Sequence, residues 1–177
     1  MVNAKSISLF KSRSLIFSLV FVALSVALPQ ITHFFGGPAL GRALLPMQFF
    51  VFLSGLLLGW RSGLAVGILT PLLSFSLTGM PLAAVLPFII IELASYGVLA
   101  GIFHKGMKLD LWPSILGAML FGRLILWVGL LILPTKLMAT SYLTGVISVG
   151  LPGMIAQLVL LPIIYEITVN YLDHEKI

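Results

Sequence analysis

Two full charges, Glu92 and Arg123, stand inside stretches that are otherwise apolar, "LAAVLPFIIIELASYGVLAG" and "WPSILGAMLFGRLILWVGLLIL". Counted from Pro81 and from Trp112, each lies eleven residues into its stretch. At helical rise that is about 16 Å, near the middle of a hydrocarbon core of about 30 Å. The two stretches run in opposite directions, so both charges reach a similar depth and can meet across neighbouring helices. An unpaired charge there costs at least about 2.5 kcal/mol, which gives the two a reason to pair. Two uses of such a pair stay open: a polar floor to a ligand cavity, or an ion pair that fixes helix register.

Further polar and aromatic residues share these faces. Tyr96 follows Glu92 by four residues and Trp127 follows Arg123 by four, the spacing that stacks side chains on one face of a helix. Gln48 lies near the start of the next apolar run after the first, and Gln157 five residues after Pro152. Arg42 sits in the hinge "GGPALGRALLP", where three glycines, two of them adjacent, two prolines and a cation separate two apolar runs. A few polar groups converging inside an apolar bundle are what a small-molecule site requires. For Tyr96 or Trp127 taken alone, ordinary packing is the better account of the residue.

Other chemistries find little footing. His33, His104 and His174 are widely spaced and fall on both sides of the expected bundle, so the pattern predicts no metal site. A phosphate-cradling glycine loop ending in Lys-Ser or Lys-Thr is missing, so ATP is not expected to bind this chain. Ser74 and Ser76 have no neighbouring His or Lys to activate them, and no enzymatic activity is expected. With no cysteine, disulfides and thiolate ligands are excluded.

The elements that must position these residues follow from composition. Of 177 residues, 60% are hydrophobic and 8% charged. Soluble domains are charged at about 25% of positions. Mean hydropathy is +1.18. This predicts an all-α integral membrane protein: a single membrane domain over 1–177, a bundle of six transmembrane helices with structured extracellular loops. The helices are expected at about 14–34, 44–58, 63–77, 82–101, 112–133 and 152–171. An external lid loop is expected at about 35–43 and a second external loop at about 134–150, the alternative for the latter being an extension of the last helix kinked at Pro152. The apolar run after Lys11 and Arg13 continues past the small triplet Ser25-Val26-Ala27 to Phe35. That is too long for a signal-peptide core, so a retained first helix is expected.

The formal charge of +5 is scattered through short connections rather than gathered in a patch, so nucleic acid is not an expected partner. Six spans with both termini cytoplasmic put Lys5, Lys11, Arg13, Arg61, Lys105, Lys108 and Lys176 inside and only Arg42 and Lys136 outside, as positive-inside placement requires. The chain is thus expected to be a multi-pass protein of the cell membrane, with the bilayer as its immediate surroundings. Small residues four apart, Ala23 and Ala27, Gly55 and Gly59, Gly63 and Gly67, Gly97 and Gly101, allow close helix approach. The glycine pairs suit packing within the bundle, whereas Ala23 and Ala27 on the first helix suit an outward partner face.

The "ALSVAL" of Ala23 to Leu28, the long hinge after the first run, the stretch from Leu53 to Pro81 and "GLPGMIAQLVLLPII" from Gly150 to Ile164 together resemble the substrate-binding S components of energy-coupling factor (ECF) transporters. The resemblance covers nearly the whole chain. It implies capture of a vitamin or related micronutrient outside, under a cap made by the loops after helices one, three and five. It implies docking, through Ala23 and Ala27, on a transmembrane coupling subunit that works with two ATPase subunits, ATP being used only by those partners. On this reading the hinge is a lid, Arg42 closes over the ligand, and Gln48, Glu92, Tyr96, Arg123, Trp127 and Gln157 line the site. Arg42, Arg123 and Lys136 then favour a ligand bearing a carboxylate or phosphate. The alternatives are a structural or assembly subunit of a membrane complex and a self-sufficient small oligomeric transporter.

Overall fold

A computed structural model of the chain describes residues 4–132 and 139–174. They form helices α1 (Ala4–Leu44), α2 (Pro46–Leu58), α3 (Trp60–Thr78), α4 (Leu86–Gly101), α5 (Leu111–Ile132) and α6 (Ala139–His174), with a π-helical turn, Ile102–Gly106, continuing α4. No strand occurs among the described residues. Six helical stretches are long and apolar enough to cross a membrane: Arg13–Gly37, Ala39–Leu58, Trp60–Thr78, Leu86–Gly106, Leu111–Ile132 and Ser148–Tyr171. Each keeps its backbone bonds within itself, the condition for exposing its sides to lipid.

The hinge differs from its expected form. Residues 35–43 are helical apart from a break at Gly37, which has φ 64° and ψ −170°. A side chain is disfavoured in that region and glycine is not. The segment is therefore a kinked helical corner rather than a loop, and it lengthens the second crossing from 13 residues to a continuous apolar stretch from Ala39 to Leu58. That resolves the shortness of the second run: its missing turns lie before Leu44. At the other expected loop, residues 139–150 belong to α6, which carries Pro152 and Pro162 within it. The extension of the last helix is what forms, while residues 134–138, Lys136 among them, lie outside the described residues. The fourth helix starts at Leu86 rather than 82, because Pro81 to Val85 form a bend and turn before Pro87 opens the helix.

Packing follows the small residues. A Cβ on Gly63 would strike the backbone of Gly97, one on Gly97 would strike Gly63, and one on Gly67 would strike Ala94. The α3 and α4 backbones therefore touch directly, and Gly55 of α2 presses on Gly97 in the same way. Between helices in lipid, where apolar side chains gain nothing by leaving hydrocarbon, such close approach supplies the dispersion energy that holds the bundle. Gly55, Gly63, Gly67, Gly97 and Gly101 are all buried in the bundle, whereas Gly59, the partner of Gly55 in the sequence pattern, is half-buried at the break between α2 and α3, with φ 94°. The core gathers around α2, whose residues 51–56 are all buried, with Phe52, Tyr96, Ile115 and Leu161 meeting there.

Candidate functional site

Four of the expected site residues come together. The Arg123 guanidinium makes an ion pair with Glu92 Oε1. Tyr96 donates its hydroxyl hydrogen to the same oxygen at 2.9 Å, and Gln48 Nε2 donates to it at 3.3 Å. All three contacts converge on Oε1, which an ionised carboxylate oxygen accommodates because it only accepts. Each residue arrives by helical spacing. Glu92 and Tyr96 lie one turn apart on the buried face of α4 with Phe88, Leu93 and Ala100. Arg123 belongs to the buried stripe of α5 that includes Ile115, Met119, Gly122 and Leu126. Gln48 is buried in the first turn of α2.

The Tyr96 ring is fixed from three sides. Phe52 stacks on it with centroids 4.8 Å apart, the Arg123 guanidinium carbon lies 5.9 Å from its centroid, and a Cβ on Gly122 would strike its edge. Phe52 and Gly122 are therefore supports of the site that the sequence does not single out. Gly122 directly precedes Arg123, yet a lone glycine in an apolar helix carries no signal of what it accommodates.

Gln157 joins the network through the corner between α1 and α2. Its Nε2 donates to the carbonyl of Leu45 at 3.1 Å, and the backbone N–H of Gln48 donates to that carbonyl at 3.2 Å. Leu45 is left-handed, with φ 49°. That conformation costs a residue with a Cβ about 1–2 kcal/mol. The two donors on its carbonyl hold the turn in place. A Cβ on Gly153 would strike the Leu44 carbonyl, so α6 lies directly against this corner.

The remaining expected residues fall elsewhere. Trp127 is 41% exposed on the outside of α5. Four residues advance a helix by about 400°, so Trp127 sits about 40° beyond Arg123 and leaves the buried stripe. Arg42 lies on the helical corner, and its side chain is outside the described ones. Glu92 lies six residues into α4. At helical rise that is about 9 Å from the start of the helix, shallower than the expected depth of about 16 Å. Arg123 lies nine residues before the end of α5, which is about 14 Å along the axis. Glu92 therefore sits nearer the end of the bundle that holds Gly37, a consequence of the later start of α4, while Arg123 stays near the middle of α5.

Polar capacity remains unused in this network. Among the described residues, Nε and Nη2 of Arg123 have no acceptor, Nη1 being the nitrogen held by Glu92. Gln157 Oε1 is likewise buried without a donor. Two open cavities lie apart from these groups. One of about 730 Å³ opens outward between α4 and α5, lined by Leu99, Phe103, Gly117, Phe121, Leu124, Val128 and other apolar residues. It contains no member of the polar network, and its lining suits acyl chains of the bilayer.

Ala23 and Ala27 lie on the outside of α1, both exposed, beside exposed Leu19, Val20 and Leu24. Phe21, Val22 and Ser25 on the opposite side are buried. The alanines thus form a shallow strip on an outward face.

Compared with known proteins, the chain matches a family model described as ECF transporter, substrate-specific component, over residues 13–165. No curated protein and no solved structure matches it.

Proposed function

Since the chain belongs to the family of substrate-specific components of ECF transporters, we propose that it captures a vitamin or related micronutrient at the end of the bundle that holds Gly37, and that Glu92 and Arg123 are part of the binding site. The family is a transporter's substrate-binding part, not a class of enzyme. The single observation that supports this placement is the buried network of Gln48, Glu92, Tyr96 and Arg123, with unspent hydrogen-bonding groups beside it.

Ligand enters from outside, the α1–α2 corner acts as the lid, and Arg42 closes over the bound molecule. Ala23 and Ala27 dock on the transmembrane coupling subunit, and two ATPase subunits supply the energy for release inside. Both termini are cytoplasmic. Membership in the family supports the partners, and the exposed alanine strip supports the docking face.

The test is purification of the isolated chain followed by mass spectrometry of extracted small molecules, with each recovered molecule added back in thermal unfolding. A recovered compound that raises Tm of the wild type, and fails to do so for Glu92→Gln/Arg123→Gln, supports both function and placement. A compound bound equally well by both proteins moves the site away from the ion pair.

A further inference from the structure

The unspent groups of the network specify a class of ligand. Arg123 is 7% exposed and Gln157 2%. One presents two nitrogens, Nε and Nη2, with N–H groups and no acceptor, its Nη1 being taken by Glu92; the other presents a carbonyl oxygen with no donor. The orientation of the Gln157 amide is fixed by chemistry. The Leu45 carbonyl only accepts, so the atom facing it must be the NH2 group, which leaves Oε1 as the free end. Buried groups of this kind cost free energy unless something satisfies them.

Charge narrows the class. Glu92 already contacts Arg123, and two further donors, from Gln48 and Tyr96, support its negative charge. The pair is therefore neutral as a unit. A ligand carboxylate or phosphate placed beside it adds an uncompensated negative charge inside an apolar bundle, where an isolated ion is strongly disfavoured. A neutral carbonyl or ring nitrogen takes the Arg123 N–H groups without that penalty, and a neutral N–H or O–H satisfies Gln157 Oε1. The presence of Arg123, taken alone, favours an anionic ligand; its partner reverses that preference.

We infer that the site takes a molecule of no net charge that presents both an acceptor and an N–H or O–H donor, of the kind found on cyclic amides, carboxamides and amino-substituted heterocycles. The inference rests on the binding-subunit reading and adds the chemistry of what is bound.

The experiment uses the full chain in detergent and, as probe, the small-molecule fraction of yeast extract that passes a dialysis membrane. The fraction is passed at neutral pH over an anion-exchange and then a cation-exchange resin, and each portion is added to the protein in thermal unfolding. The stabilising material is expected in the flow-through of both resins. It should raise Tm of the wild type, and the shift should be lost in Glu92→Gln/Arg123→Gln and reduced in Gln157→Met. Glutamines in the double variant keep the bundle neutral, and its unliganded Tm reports whether it folds. Stabilising material retained on the anion exchanger overturns the inference while leaving the binding function intact. So does material passing both resins that stabilises the double variant as much as the wild type. No stabilising portion at all fells the binding-subunit reading, and the inference with it.

Discussion

At the scale of residues, the Glu92–Arg123 pair has a structural role and a proposed binding role, and the energetics of the two separate. Removing one partner leaves the other charged and buried, which typically costs about 3–5 kcal/mol, whereas replacing both with apolar residues is often neutral or stabilising. Glu92→Leu and Arg123→Leu are each expected to lower Tm sharply, and the double change to Leu to recover most of the loss. Thermal unfolding of the three variants measures this, and a double variant no more stable than either single would mean that the charges do not compensate each other. Ligand binding should remain lost in the double variant even as stability returns. The pair is legible in the sequence because a charge inside an apolar run must find a partner. Gln48 and Tyr96 are legible as polar or amphipathic groups at compatible heights. Trp127 departs from its expected place for a geometric reason. A four-residue step overshoots one turn by about 40°, enough to carry a side chain from the edge of a buried stripe to the lipid.

At the scale of elements, the contact between α3 and α4 is made by backbone, so it tolerates no added atoms on the facing glycines. Gly63→Ala and Gly97→Ala are each expected to destabilise the bundle by about 1–3 kcal/mol, the range for overpacking a close contact. Gly106→Ala, whose new methyl would meet only the Ile102 side chain at ordinary distance, should leave Tm nearly unchanged. Thermal unfolding of the three proteins in one detergent checks this; equal tolerance at all three positions would mean that the helices can separate without loss. The glycine spacing announces these contacts, and the number of spans follows from hydropathy alone. The corner between α1 and α2 is harder to read. Glycine and proline there signal a break, yet only Gly37 and Leu45 take positive φ, and the residues between them complete a helical turn against α6. The far end of that contact is 112 residues away in the chain, at Gln157, and no local pattern encodes which distant helix will cover a corner.

At the scale of the whole molecule, orientation and docking decide whether the site faces the right side and couples to the right partner. The chain has no native cysteine, so single-cysteine variants report without background. Cysteines at Gly37 and Thr140 should react with an impermeant reagent applied to intact cells, and one at Gly106 should not; the opposite pattern would invert the proposed topology and the lid with it. Docking is tested at Ala23 and Ala27. Both are exposed on the side of α1 away from buried Val22 and Ser25, and small side chains four apart let a partner helix come close. Replacing either with Trp adds a ring where that helix would lie, but reaches none of Gln48, Glu92, Tyr96 or Arg123, which are buried on other helices. Uptake of the extracted ligand into cells carrying the complete transporter should therefore fall at least tenfold, while affinity of the isolated chain changes less than about twofold. A tenfold difference corresponds to about 1.4 kcal/mol, well within what one intruding aromatic ring costs a close helix contact. Should uptake and affinity fall together, the alanine strip would be supporting the bundle's own packing. Should neither fall, the coupling subunit would have to engage another face of the molecule.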